Sequence, residues 1–194
     1  MSTRRIVVAL TGASGAGYGL ELIRSLDRIR NEGLHLTVIY NDTALSILEK
    51  ETGADLAQLR KQCDELVHAG KMDHGLASGS NHFDSLVICP CSTSTSAKVH
   101  AGISDNLTTR CASVALKERR KLILVVRETP LSTPVLKALF DLSSWGAIVM
   151  PASPPFYNIH SDSVKDLQAA FSGRVMDLLG IENDSAVRYD PGSW

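Results

Sequence analysis

Apolar residues fall into two kinds of run along this chain. Ile6 to Leu10 is unbroken, as in a strand covered on both faces. Residues 34–40, 83–89, 122–126 and 147–150 read as four further short strands, 83–89 closed by Pro90 and 147–150 by Pro151. Between them apolar residues recur at helical spacing. Leu20, Leu22, Ile23 and Leu26 form one such stripe. Val135, Leu136, Leu139, Phe140 and Leu142 form a second, predicted to be buried, and Val164, Leu167, Phe171, Val175 and Leu178 a third. The third helix is predicted to start at Asp162 or Ser163. Further helices are predicted over about 44–51, capped by Asn41-Asp42-Thr43, within 55–67, from about Ala97, and from Ser104 or Asp105 to about Arg119. Strands alternating with helices predict a three-layer α/β/α sandwich, Rossmann- or flavodoxin-like, with a parallel sheet. One domain over 1–194 with a short polar tail from about 182 is expected.

Composition narrows the function classes. The net charge is −1, which gives no general attraction to nucleic acid or an anionic membrane. Aromatic residues are few, against a stacking platform for single strands. No apolar run has the length of a membrane span. Met1 to Arg5 leads straight into the first strand, unlike a signal peptide. Cys63, Cys89, Cys91 and Cys111 form no CxxC pair, and Cys89-Pro90-Cys91 is too tight for a zinc knuckle. A cytoplasmic protein with reduced thiols and no metal is expected. Residues 68–82 are polar and glycine-rich, a loop suited to covering a site or meeting a neighbouring subunit. His68, His74 and His82 within it match no metal template and read as surface histidines.

Chemistry gathers at the carboxyl ends of the strands. Gly12-Ala13-Ser14-Gly15-Ala16-Gly17 follows the first strand and opens a helix, with glycines that permit positive φ and close backbone approach. Such a turn suits the phosphate of a mononucleotide or flavin, or is an ordinary strand–helix turn. Cys91-Ser92-Thr93-Ser94-Thr95-Ser96 follows the third strand as a run of hydroxyls, able to hold a ligand, to cap a helix, or both. Arg110 and Lys117, two helical turns apart, share a face with Val114 and suit an anionic ligand or solvent. Arg127 and Glu128 follow the fourth strand as a functional or a structural pair, and Pro154 to Tyr157 is a stiff segment presenting a phenol. Convergence of three of these groups on one sheet edge points to a nucleotide-like ligand.

Five segments together resemble the UbiX family of flavin prenyltransferases, long described as aromatic-acid decarboxylases of the phenylacrylate type. They are Thr11 to Ala16, Val87 to Thr93, Arg110 with Ala115 to Arg120, Val126 to Leu131, and Pro155 to Tyr157. The resemblance runs in order over nearly the whole chain. It implies an enzyme that joins the dimethylallyl group of dimethylallyl monophosphate to N5 and C6 of reduced FMN without a metal. The product, prenylated FMN, serves UbiD-type decarboxylases, and the enzyme assembles as a homododecamer with sites between subunits.

The same resemblance implies residue roles. Gly12, Ala13, Ser14, Asn41, Ser92, Thr93, Ser94, Thr95 and Arg127 would contact FMN. Tyr157 and Arg174 would bind the prenyl phosphate, with Arg110, Lys117 and Glu128 around it and Glu51 near the reaction centre. Asn41 stands where the family usually has Ser, Lys98 is an added charge, and the tail carries Arg188, Tyr189 and Trp194 where the family commonly has Arg-Trp. Two other readings share the fold: a flavin-dependent cysteine decarboxylase, whose Pro-Ala-Ser-Ala-Asn-Thr run is missing here, and an FMN carrier, which has no use for a second phosphate site.

Overall fold

Along the first strand, β1 (Arg4–Ala9), and the residue after it, alternate side chains enter two separate cores. Ile6, Val8 and Leu10 pack on one side, Val7 and Ala9 on the other. Both faces are therefore buried, which requires helices above and below the sheet. The computed structural model describes residues 3–157 and 163–189. Trp194, and Asp162 as a helix start, lie outside the described residues.

The strands β1, β2 (Leu34–Tyr40), β3 (Glu65–His68), β4 (Ser85–Cys91), β5 (Lys121–Val126) and β6 (Ile148–Pro151) form one sheet in the order β3-β2-β1-β4-β5-β6. All five pairings are parallel. Helices α1 (Ala16–Arg28), α2 (Asp42–Thr52), α3 (Leu56–Lys61) and α7 (Val164–Leu179) supply the core on one face. On the other face lie α4 (Thr93–His100), α5 (Leu107–Lys117) and α6 (Thr133–Ser144). The sheet grows outward in one direction from β1 to β3 and in the other from β4 to β6. Its order reverses between β1 and β4, and a crevice opens at the carboxyl ends of strands at such a point.

Four sequence expectations are corrected. Residues 65–68 are a sixth strand, not the end of a helix: β3 is short, at the sheet edge and buried only at Val67, so it lacks an apolar run. Pro90 lies inside β4, where the register to β5 shifts between Ile88 and Cys91, and a bulge tolerates the missing N–H. Leu136 and Phe140 are exposed, at 51% and 70%, because α6 turns Ala138, Leu139 and Leu142 inward. The fourth helix begins at Thr93, not near Ala97, because Ser92 caps it. Among the described residues no helix is long and apolar enough to cross a membrane.

Candidate functional site

Thr11 joins the two turns that flank the reversal point. Its hydroxyl donates to the Pro90 carbonyl at 2.7 Å and accepts the Ser92 N–H at 2.9 Å. Ser92 then caps α4, its Oγ accepting the Thr95 N–H at 3.2 Å and lying 2.9 Å from the Thr95 hydroxyl. Ser96, fully buried, turns its hydroxyl back to the Thr93 carbonyl at 2.9 Å. Among the described residues, the N–H groups of Thr93 and Ser94 have no acceptor. The start of α4 therefore offers two free amides and the hydroxyls of a Ser and a Thr, a donor set matched to a phosphate.

The start of α1 is arranged differently. Gly15 has φ 95°, the left-handed conformation that a side chain would strain, and no side chain at that position caps the helix. Glu51, near the end of α2, does so instead. Its Oε2 accepts the Gly15 and Ala16 N–H groups at 2.9 and 2.8 Å. A carboxylate seated on these amides shows that the turn binds an anion. Partial burial raises the Glu51 pKa, but hydrogen bonds from the Ser14 hydroxyl and the Ala16 and Gly15 amides, with the charge of Arg127, bring it below the usual carboxylate value. Arg127 Nε donates to the Ser14 carbonyl at 2.8 Å, so Ser14, Glu51 and Arg127 form one cluster. Asn41 Oδ1 caps α2 by accepting the Ala44 N–H at 2.8 Å, and Thr43 packs so near Gly12 that a Cβ there would lie 2.8 Å from its methyl. A groove of about 350 Å³, lined by Gly17, Glu51, Lys165 and Gln168, continues between α1, α2 and α7.

Because its folded-state pKa is lowered, Glu51 adds stability above its unfolded value of about 4.5 and loses it as pH falls through the folded value. Glu51→Gln should therefore cost a constant amount of thermal stability above that pH and progressively less below it. A melting series across pH 3 to 7, about the range in which such a group titrates, checks this; a gap that widens toward acid would contradict it.

The remaining cationic residues lie elsewhere in the chain. Lys117 ends α5, pairs with Glu118 and sits beside Gly79, at the edge where β5 begins. Arg110 donates from Nε to the Ala77 carbonyl at 2.8 Å. Arg174 is on α7, across the sheet from α5, and pairs with Asp177 at 3.2 Å. Asp177 also takes Arg188 at 2.6 and 2.8 Å; the Arg188 guanidinium, with help from Arg174, outweighs the upward pull of partial burial and keeps its carboxyl below the usual range. Tyr157 is partly exposed, its ring edge-on to Tyr189 at 6.0 Å. Glu128 is exposed and accepts the Thr129 N–H at 3.0 Å. One chain thus gathers the Gly-rich turn, the hydroxyl run, Glu51 and Arg127, and leaves Arg110, Lys117 and Arg174 apart. Thr11 was not singled out as a site residue from the sequence; its place one step beyond a strand's carboxyl end was the available signal.

A family model described as Flavoprotein matches residues 1–167. The flavin prenyltransferase UbiX of Thermoplasma acidophilum is 42% identical over 95% of this chain and 99% of its own length. The chain belongs to the UbiX family of flavin prenyltransferases. Among solved UbiX structures, AnUbiX (PadA1) in complex with FMN and dimethylallyl pyrophosphate superposes with TM-score 0.91, at 35% identity over 96% of this chain and 97% of the other. A dodecameric FMN-dependent UbiX-like decarboxylase from Escherichia coli O157:H7 also gives TM-score 0.91, at 34% identity over 96% and 99% of the two chains.

Proposed function

We propose that this chain transfers a dimethylallyl group from dimethylallyl monophosphate to N5 and C6 of reduced FMN, releasing phosphate and making prenylated FMN for a UbiD-type decarboxylase. The observation that carries the reading is a pair of anion-binding helix starts on either side of the reversal point. One, at α4, has open amides at Thr93 and Ser94; the other, at α1, already holds a carboxylate. The residues fit the flavin nucleotide. Ser92, Thr93, Ser94 and Thr95 would take its phosphate, and Gly12, Ala13, Ser14, Asn41 and Arg127 would line its ring system.

Reduced flavin, when bound, supplies the nucleophilic ring atoms and an electron-rich face for an allylic cation. The protein's task is to stabilise charge that develops on the departing phosphate. Fixed Arg, Lys and Tyr donors do this, with Arg able to bind in a bidentate manner. Arg174 and Tyr157 from one copy, and Arg110 and Lys117 from another, would form that grip in an assembly of this chain. Leu136 and Phe140, exposed one turn apart on α6, favour self-association. Loss of the C6 proton needs an acceptor among Glu51, Glu128 and the released phosphate. While Glu51 rests on the α1 amides its lowered pKa makes it a poor base, so acting in this way requires it to leave them. A cytoplasmic site of action suits the four free, buried thiols.

Incubation with reduced FMN and dimethylallyl monophosphate, followed by mass analysis of the flavin, tests the reading. The flavin should gain one dimethylallyl group. Bound FMN that stays unmodified with either the mono- or the diphosphate would make the chain a carrier.

A further inference from the structure

We propose that His74 is a positioning residue for Arg110, and through it for the phosphate end of the prenyl donor; this rests on the role given to Arg110 above. His74 lies in the loop between β3 and β4, its side chain only 14% exposed. Its Nδ1 accepts the Leu76 N–H at 3.2 Å. A backbone N–H can only donate, so the ring proton sits on Nε2, which lies 2.9 Å from Glu65 Oε1 on β3. One imidazole thus caps the 3₁₀ turn Gly75–Ala77 and ties it to the sheet.

Every carbonyl of that turn has a donor. Gly75 receives Asn81 Nδ2 at 3.0 Å, Leu76 receives Cys111 Sγ at 3.6 Å, and Ala77 receives Arg110 Nε at 2.8 Å. Further along, Arg120 holds the Gly79 and Asn81 carbonyls at 2.6 and 3.0 Å. The turn is therefore a fixed bracket against α5. Its last carbonyl sets the plane of the Arg110 guanidinium, whose Nη1 and Nη2 have no hydrogen-bond partner among the described residues. That open pair of donors is the edge that suits a phosphate. A cavity of about 170 Å³ lies behind His74, lined also by Arg5, His35, Glu65 and His82. A shortened side chain would enlarge this space instead of being replaced by a neighbour.

The test uses the assembled full chain with reduced FMN. Measured are kcat and KM for dimethylallyl monophosphate, FMN affinity, melting temperature and assembly size. His74→Ala should raise KM about five-fold, the effect of losing one oriented hydrogen bond, with FMN affinity unchanged. His74→Asn, which keeps a cap for the Leu76 N–H, should stay within about two-fold of the parent. His74→Gln, which keeps only a donor for Glu65, should behave like alanine. In an Arg110→Ala background, His74→Ala should change KM no further, because both act through one contact. Independent, multiplying effects would overturn the proposal, as would a Gln variant better than Asn. If Arg110→Ala raises KM and His74→Ala does not, the positioning role alone fails. If Arg110→Ala leaves KM unmoved, the role of Arg110 fails and this inference with it. Should His74→Ala not assemble, the order of Asn and Gln decides.

Discussion

Alanine at Lys117 and alanine at Arg174 should each leave FMN bound and slow prenyl transfer by about 10²–10³-fold, the usual cost of removing a donor aimed at developing charge. Mixed assemblies of the two variants should recover part of the activity. The reason is geometric. Lys117 ends α5, and the six residues of β5, about 20 Å of strand, separate that edge from Arg127. Arg174 lies on α7, on the opposite face of the sheet, tied to Asp177. A phosphate gripped by both must receive them from different copies. In a mixed assembly some sites then take an intact Lys117 from one copy and an intact Arg174 from another. Co-expression with two affinity tags, purification on both, and activity per bound FMN checks this. Variants that stay inactive when mixed, yet assemble and bind FMN, would place both residues in one copy's site or outside it.

Which parts of this arrangement were legible from the chain depends on how local their cause is. Past their charged first residues, β1 and β5 are unbroken apolar runs because both of their faces are covered, and burial on two sides is written directly in composition. β3 has only Val67 buried, so its residues look like a loop. Leu136 and Phe140 extend an apolar stripe that the chain's own sheet does not cover, so periodicity predicts burial that a single copy does not provide. The α4 start was readable as hydroxyls, and its double use as cap and open amides follows from Ser92 alone. The cap on α1 was not readable: Glu51 is 35 residues from Ala16, and only the fold brings its carboxylate to those amides. The link from Arg127 to the Ser14 carbonyl spans 113 positions and is hidden for the same reason. Family resemblance supplied roles for Lys117 and Arg174 that neither local pattern nor a single copy's geometry would suggest.

Replacing Gly19 with alanine should be among the most damaging single-methyl additions to the described residues. Gly19 is buried in the second turn of α1, where the helix crosses β4. A Cβ there would lie 2.2 Å from the Cys89 carbonyl oxygen and 2.6 Å from Leu10 Cδ2. The nearer atom is strand backbone, which cannot rotate aside, so α1 must lift off the sheet. Lifting separates the α1 amides from Glu51 and moves the Gly-rich turn away from Ser92, so the anion-binding turn is lost along with packing. Overpacking of this kind costs about 3 kcal/mol, which for a chain of this length is a fall of about 10 °C in Tm. FMN affinity should fall with it. Gly33→Ala is the matched control. Gly33 has φ +89° but nothing within 4 Å of its Cβ position, so only the left-handed backbone penalises alanine, by about 1 kcal/mol. Melting curves of the two variants, with FMN titrations alongside, separate steric from conformational cost. Equal losses of stability, or a Gly19→Ala protein that melts lower yet binds FMN normally, would show that the close approach of α1 to β4 is not what holds the turn in place.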